Sequence, residues 1–102
     1  MTDIELVKII AQKIGHEYEE TSRIISGKIG YVINDDHIIK LCINNCNLMN
    51  ETIPQELWQL YHLQVLCLST NMLSQFPEDI LQLHDLVRLD LNGNQIRAIT
   101  GK

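Results

Sequence analysis

Residues 63–73 read Leu63-Gln64-Val65-Leu66-Cys67-Leu68-Ser69-Thr70-Asn71-Met72-Leu73, and their spacing decides the fold. Leu66 and Leu68 alternate as a strand with one buried face requires. Leu63 and Leu73 fall outside that period, and an Asn follows the strand. Shifted by 23 residues, Leu63, Leu66, Leu68, Asn71 and Leu73 fall on Leu86, Leu89, Leu91, Asn94 and Ile96, and Phe76-Pro77 falls on Ile99-Thr100. Shifted by 25 the other way, the first five fall on Ile38, Leu41, Ile43, Cys46 and Leu48. The two extra residues lie within 49–52, after which Ile53-Pro54, Leu57 and Leu60 regain the phase. Self-similarity at a fixed period marks a stacked repeat. An aliphatic amphipathic helix does not account for Leu-x-Leu alternation followed by Asn.

Each unit therefore begins with a short strand, Leu41/Ile43, Leu66/Leu68 or Leu89/Leu91. Successive strands stack as a parallel sheet about 4.8 Å apart. The chain then turns sharply, leaving backbone N–H and C=O groups inside the turn. Cys46, Asn71 and Asn94 stand there, and an Asn amide bridges neighbouring coils in a ladder. Cys has only a weak S–H donor, so the first rung is the weakest and Cys46 is structural. Pro54 and Pro77 suit the first position of a short helix, with Glu56, Glu78 and Asp79 at its positive end. Leu57/Leu60 and Ile80/Leu83 then point inward, placing Trp58 and Leu81 on the outer convex surface.

The pattern Leu-x-x-Leu-x-Leu-x-x-Asn/Cys-x-Leu over residues 38–99 resembles the leucine-rich-repeat superfamily. The 23-residue unit with an Ile/Phe-Pro step is similar to bacterial and archaeal cytosolic repeats and to the intracellular eukaryotic type. The resemblance implies an α/β solenoid whose concave sheet face binds another macromolecule, usually a protein. Departures are the 25-residue first unit, Cys46 for Asn, and Thr100 where the earlier units have Pro. The segment before residue 38 is similar to the N-terminal caps of Roco-type GTPases and related prokaryotic repeat proteins. This leaves an alternative in which the chain is the N-terminal regulatory part of a larger enzyme.

Working outward, residues 3–14 read as a helix, with Ile4, Val7, Ile10 or Ala11, and Ile14 at helical spacing. Thr2 and Glu5 form a capping box, and Gly15 suits a left-handed C-terminal cap. Residues 16–30 are ambiguous, Thr21–Ser26 fitting a short helix or an extended segment. Tyr31–Ile33 and Ile38–Leu41 flank Asn34-Asp35-Asp36-His37, a hairpin turn sequence. The helix and hairpin, residues 1–37, cap the first coil. Residues 38–62, 63–85 and 86–102 form three repeats, the last incomplete.

Composition limits the function. The chain has 102 residues, enough for one domain, with aromatic residues only 5% of a largely Leu/Ile core. Net charge is −5, and no stretch gathers Lys and Arg, which disfavours nucleic acid. No apolar run approaches the roughly 20 residues that span a bilayer. An acidic N-terminus and three cysteines without framework spacing favour the cytoplasm, so Asn50-Glu51-Thr52 is read as a chance glycosylation triplet.

On the concave face the outward residues form columns Lys40/Val65/Arg88, Cys42/Cys67/Asp90 and Asn44/Ser69/Asn92, the candidate partner-binding surface. Cys42, Cys67 and Asp90 lie in a row rather than around a point, and His16, His37, His62 and His84 show no metal spacing, so no metal is expected. Ser26-Gly27-Lys28 ends like a phosphate-binding loop, but Ser22 and Ile29 stand where Gly and Ser/Thr are required. No catalytic or cofactor-binding residue is identified. Leu86, Leu89, Leu91, Ile96 and Ile99 need a covering coil, and an open solenoid end favours a homodimer joined there. The expectation is a non-catalytic protein-binding scaffold, with a self-assembling structural unit as a further possibility.

Overall fold

The computed structural model describes residues 1–14 and 29–96. The proposed Gly15 cap, the ambiguous stretch through Lys28, and Ile99-Thr100 lie outside the described residues. The elements are a helix α1 (Asp3–Ile14), strands β1 (Ile29–Asn34), β2 (His37–Ile43), β3 (Val65–Cys67) and β4 (Arg88–Asp90), and 3₁₀ helices Asn50–Thr52, Gln55–Gln59 and Glu78–Gln82. One four-stranded sheet has the order β1-β2-β3-β4. The first pair is antiparallel, and β2, β3 and β4 run parallel. No helix among the described residues is long and apolar enough to cross a membrane.

Thr2 starts α1 as its neighbours require. Glu5 N donates to Thr2 Oγ1 at 3.2 Å, and Thr2 N donates to Glu5 Oε1 at 2.8 Å, satisfying two backbone donors at once. The helix buries Leu6, Val7, Ile10 and Ala11, with Ile4 and Ile14 half-buried beside them. Leu6 belongs to this face although the 3.6-residue reading passed it over. The buried face packs on Gln55–Gln59 and on β2. Each Leu or Ile taken from water is worth about 2 kcal/mol, so this face dominates over the exposed Lys13–Glu56 ion pair at 2.9 Å. Asp3 adds a polar link, its Oδ2 accepting from Ile38 N at 2.8 Å.

The hairpin turns through Asp35 and Asp36, at φ 51° and 65°, with Asn34 opposite His37. Two successive positive φ values make the type I′ geometry that matches strand twist. The ladder slips between Val32 and Ile33, leaving Ile39 as the extra residue of a bulge. Side chains alternate faces along a strand, so Ile38 and Leu41 would otherwise point oppositely. The bulge lets both lie fully buried, and the Ile39 carbonyl accepts from Gln64 N at 2.8 Å to start the pairing with the next unit. Thus β2 serves both the hairpin and the parallel sheet.

The core is aliphatic, as the repeat requires: Ile38, Leu41, Ile43, Leu57, Leu60, Leu63, Leu66, Leu68 and Leu73 have no accessible surface. The returning segments are 3₁₀ helices, with Pro54 and Pro77 one residue before the first helical position. Their carbonyls accept from Leu57 N at 3.2 Å and Ile80 N at 3.0 Å. Leu81 is 71% exposed on the outside. Trp58 departs from expectation and is buried, 6% exposed. With about three residues per turn, Leu57 and Leu60 share the inward face, and the indole of Trp58 lies beside them within the core cluster.

Candidate functional site

The turn after each strand is what holds successive units in register. Asn71, itself buried, accepts at Oδ1 from Cys46 N (2.9 Å) and Leu48 N (3.2 Å) of the preceding unit. Its Nδ2 donates to Ile43 O at 2.8 Å and to Leu68 O at 3.0 Å. Asn94 repeats the arrangement, accepting from Leu73 N at 3.0 Å and donating to Leu68 O (2.9 Å) and Leu91 O (3.0 Å). The Cys46 thiol donates within its own turn, to Asn44 O at 3.3 Å.

A second bridge was not legible in the spacing. Asn50 Oδ1 accepts from Ser74 N (2.9 Å) and Gln75 N (3.2 Å), while its Nδ2 donates to Gln75 O at 2.9 Å. Asn50 lies beside the two extra residues of the first unit, so the repeat shift could not flag it. Left-handed turn positions did leave a signal: Asn45 (φ 57°), Thr70 (φ 56°) and Gly93 (φ 75°) are equivalent under the repeat shifts. Asn and Gly both tolerate that conformation.

These turns present the sheet face. Pairing places Lys40 beside Val65 beside Arg88, and Cys42 beside Cys67 beside Asp90. Asn44 Oδ1 accepts from Ser69 N (3.2 Å) and Ser69 Oγ (2.8 Å), and Asn92 O accepts from Thr70 N at 2.8 Å. The first two columns are therefore in register across the strands, and Asn44, Ser69 and Asn92 follow just beyond the strand ends. Exposure within the columns is uneven. Arg88 and Asn92 are exposed, Lys40, Asn44, Val65, Cys67, Ser69 and Asp90 are half-buried, and Cys42 is buried.

Cys42 thus corrects the expectation of a solvent-facing row. It pairs with Gly30 of β1 on one side and Cys67 of β3 on the other, in a strand interior to the sheet, and is 6% exposed. Burial pushes its thiol up to about 12, helped by a hydrogen bond with Cys67 and by the charge of Cys67, with an opposing pull from Lys40 and a lesser push from Asp90. A thiol so held carries almost no thiolate at neutral pH and is a poor nucleophile or metal ligand. His37 and His62 stack face to face, ring centroids 3.7 Å apart. Among the described residues no three His, Cys, Asp or Glu side chains converge as a metal centre requires.

No protein-family model matches the chain, and no curated protein matches it significantly. Among solved structures it is similar to the crystal structure of the LRR ectodomain of the receptor kinase SOBIR1 from Arabidopsis thaliana, with a TM-score of 0.51 and 22% identity. The match covers 91% of this chain and 54% of that one, so the chain spans about half its length. At that identity the likeness speaks for fold alone: the chain has a leucine-rich-repeat-like α/β fold.

Proposed function

We propose that the chain is a non-catalytic protein–protein interaction module, a short leucine-rich-repeat solenoid in the cytoplasm whose first coil is covered by α1 and the β1–β2 hairpin. Residues 1–37 form the cap and 38–62, 63–85 and 86–102 the repeats. The observation that carries the reading is the in-register pairing of β2, β3 and β4, which sets Lys40, Val65 and Arg88 in one column and ends the next on Asp90. Rigid backbone ladders hold these side chains in place before a partner arrives, which lowers the ordering cost of binding. The similarity to a leucine-rich-repeat ectodomain supports protein binding at the level of fold. The cytoplasmic assignment rests on the three cysteines, which lack disulfide-framework spacing and stand as free thiols, not on that similarity.

The test is partner recovery from the native cell with Arg88→Glu and Asp90→Lys variants. Both residues lie at the sheet face, and loss of the partner is the expected result. Recovery equal to the unsubstituted chain would overturn the assignment of this face.

A second reading concerns β4. Leu86, Leu89, Leu91 and Ile96 are only half-buried and Val87 is 82% exposed. Among the described residues no strand pairs with the outer edge of β4. Such an edge favours a homodimer joined there. Sedimentation or light scattering that finds a monomer at every accessible concentration would exclude it.

A further inference from the structure

Away from the sheet face, an open groove of about 800 Å³ runs between the returning segments of the first and second units. We propose that it is a second docking site, taking a cationic peptide segment that carries an apolar anchor. Trp58, Phe76 and Leu81 supply its apolar lining, and Glu51, Glu78 and Asp79 supply carboxylates. Among the described residues no Lys, Arg or His lines it. The three acidic side chains are exposed, as is Leu81, while Trp58 is buried and Phe76 half-buried.

The chemistry selects the occupant. Half-buried Phe76 and exposed Leu81, with the small accessible part of Trp58, offer an apolar contact for an anchoring side chain. The three carboxylates of the lining make the surrounding potential negative, which attracts Lys and Arg and repels acidic segments. An apolar side chain therefore seats against Trp58, Phe76 and Leu81, with basic residues on either side reaching the carboxylates. The walls are braced independently of any ligand, because Asn50 ties the first segment to Ser74 and Gln75 of the second. The groove shares no residue with the sheet-face columns, so this site is separate from the interaction surface proposed above.

Trp58 is the single tryptophan of the chain and reports on the site directly. The experiment titrates the full chain with the acetylated, amidated hexapeptide Lys-Arg-Leu-Phe-Arg-Lys, and in parallel with its counterpart Glu-Glu-Leu-Phe-Glu-Glu. Binding is followed by Trp58 emission and by anisotropy of labelled peptide. The basic peptide is expected to bind at or below about 100 µM with a shift in Trp58 emission. Raising salt from about 50 to about 500 mM is expected to weaken it several-fold. The double variant E78K/D79K should weaken it at least about tenfold, and Arg88→Glu should leave it unchanged. Leu81→Ser, a change at an exposed position, gives the same loss through the apolar lining and covers the case in which the charge reversal misfolds by circular dichroism. Absence of binding at millimolar peptide, equal binding of the acidic peptide, or affinity unaffected by both sets of substitutions would overturn the proposal.

Discussion

Gly93 sits directly against Thr70: a Cβ on Gly93 would stand 3.0 Å from Thr70 Oγ1 and 3.1 Å from Thr70 N and Cα. The two residues hold the same turn position in successive units, and both have positive φ, 75° and 56°. Glycine meets both demands of its position, the left-handed backbone and the missing side chain. Thr70 holds the same left-handed backbone under strain, since a β-branched residue in this region is an outlier. Gly93→Ala is therefore expected to lower stability by about 1–2 kcal/mol. Thr70→Asn is expected to raise it by about 0.5–1 kcal/mol, or about 5 °C in Tm. Thermal unfolding of the two variants checks both signs.

The three bridging asparagines should rank by the burial of the groups each satisfies. Asn71→Ala strands two backbone N–H groups and removes donors to buried carbonyls, a loss of about 3 kcal/mol. Asn94→Ala acts on half-buried groups at a half-covered coil, and about 1.5 kcal/mol is expected. Asn50→Ala leaves exposed groups that water then solvates, with about 0.5–1 kcal/mol lost. Urea midpoints at constant m-value test the order. Equal losses at Asn71 and Asn50 would contradict it.

This ranking also shows what the sequence could carry. Leu66, Leu68 and Asn71 recur because every unit places the same positions in the same environment, so periodicity exposes them. The sheet columns and the Asn71 and Asn94 rungs follow from that period alone. Trp58 is buried where its repeat equivalent Leu81 is exposed, and Asn50 lies beside the two extra residues of the first unit, so their roles arise between units, where one chain segment meets another. The interior place of Cys42 in the sheet likewise depends on the antiparallel hairpin, which pairs it with Gly30. The bulge at Ile39 explains why Ile38 and Leu41 both face inward, although their separation contradicts simple strand alternation. A pattern read along one strand sees none of these cross-chain relations.

Attachment of α1 should weaken in acid. Hydrogen bonds from the backbone and hydroxyl of Thr2 hold the Glu5 carboxyl below its ordinary value, and the hydrogen bond from Lys13 does the same for Glu56, helped by its own backbone N–H. A carboxylate whose pKa is lower folded than unfolded contributes stability above the ordinary carboxylate range, and that contribution disappears as pH falls through the lowered value. Glu56→Gln is expected to unfold at lower urea than the unsubstituted chain at neutral pH. The gap should close as both are acidified past the carboxylate range. A gap that stays constant with pH would place the effect of Glu56 outside its charge.

Cys42 makes the opposite prediction at the alkaline end. Its folded thiol is held at about 12 by burial first and by Cys67 second, whereas an unfolded cysteine ionises at about 8.5. Below the unfolded value both states keep the proton and the group has no pH-dependent effect. Above it the unfolded chain loses a proton that the folded chain retains, so stability falls as pH rises from about 8.5 towards about 12. Cys42→Ala should flatten this alkaline loss, while Cys67→Ala should reduce it by removing the neighbour that helps hold the proton. Thiol chemistry gives a second readout. With a disulfide-exchange reagent at neutral pH, Cys67 is expected to react well before Cys42, because Cys67 is more exposed and Cys42 offers almost no thiolate. Peptide mapping after partial modification decides the order, and Cys42 reacting first would overturn the burial argument.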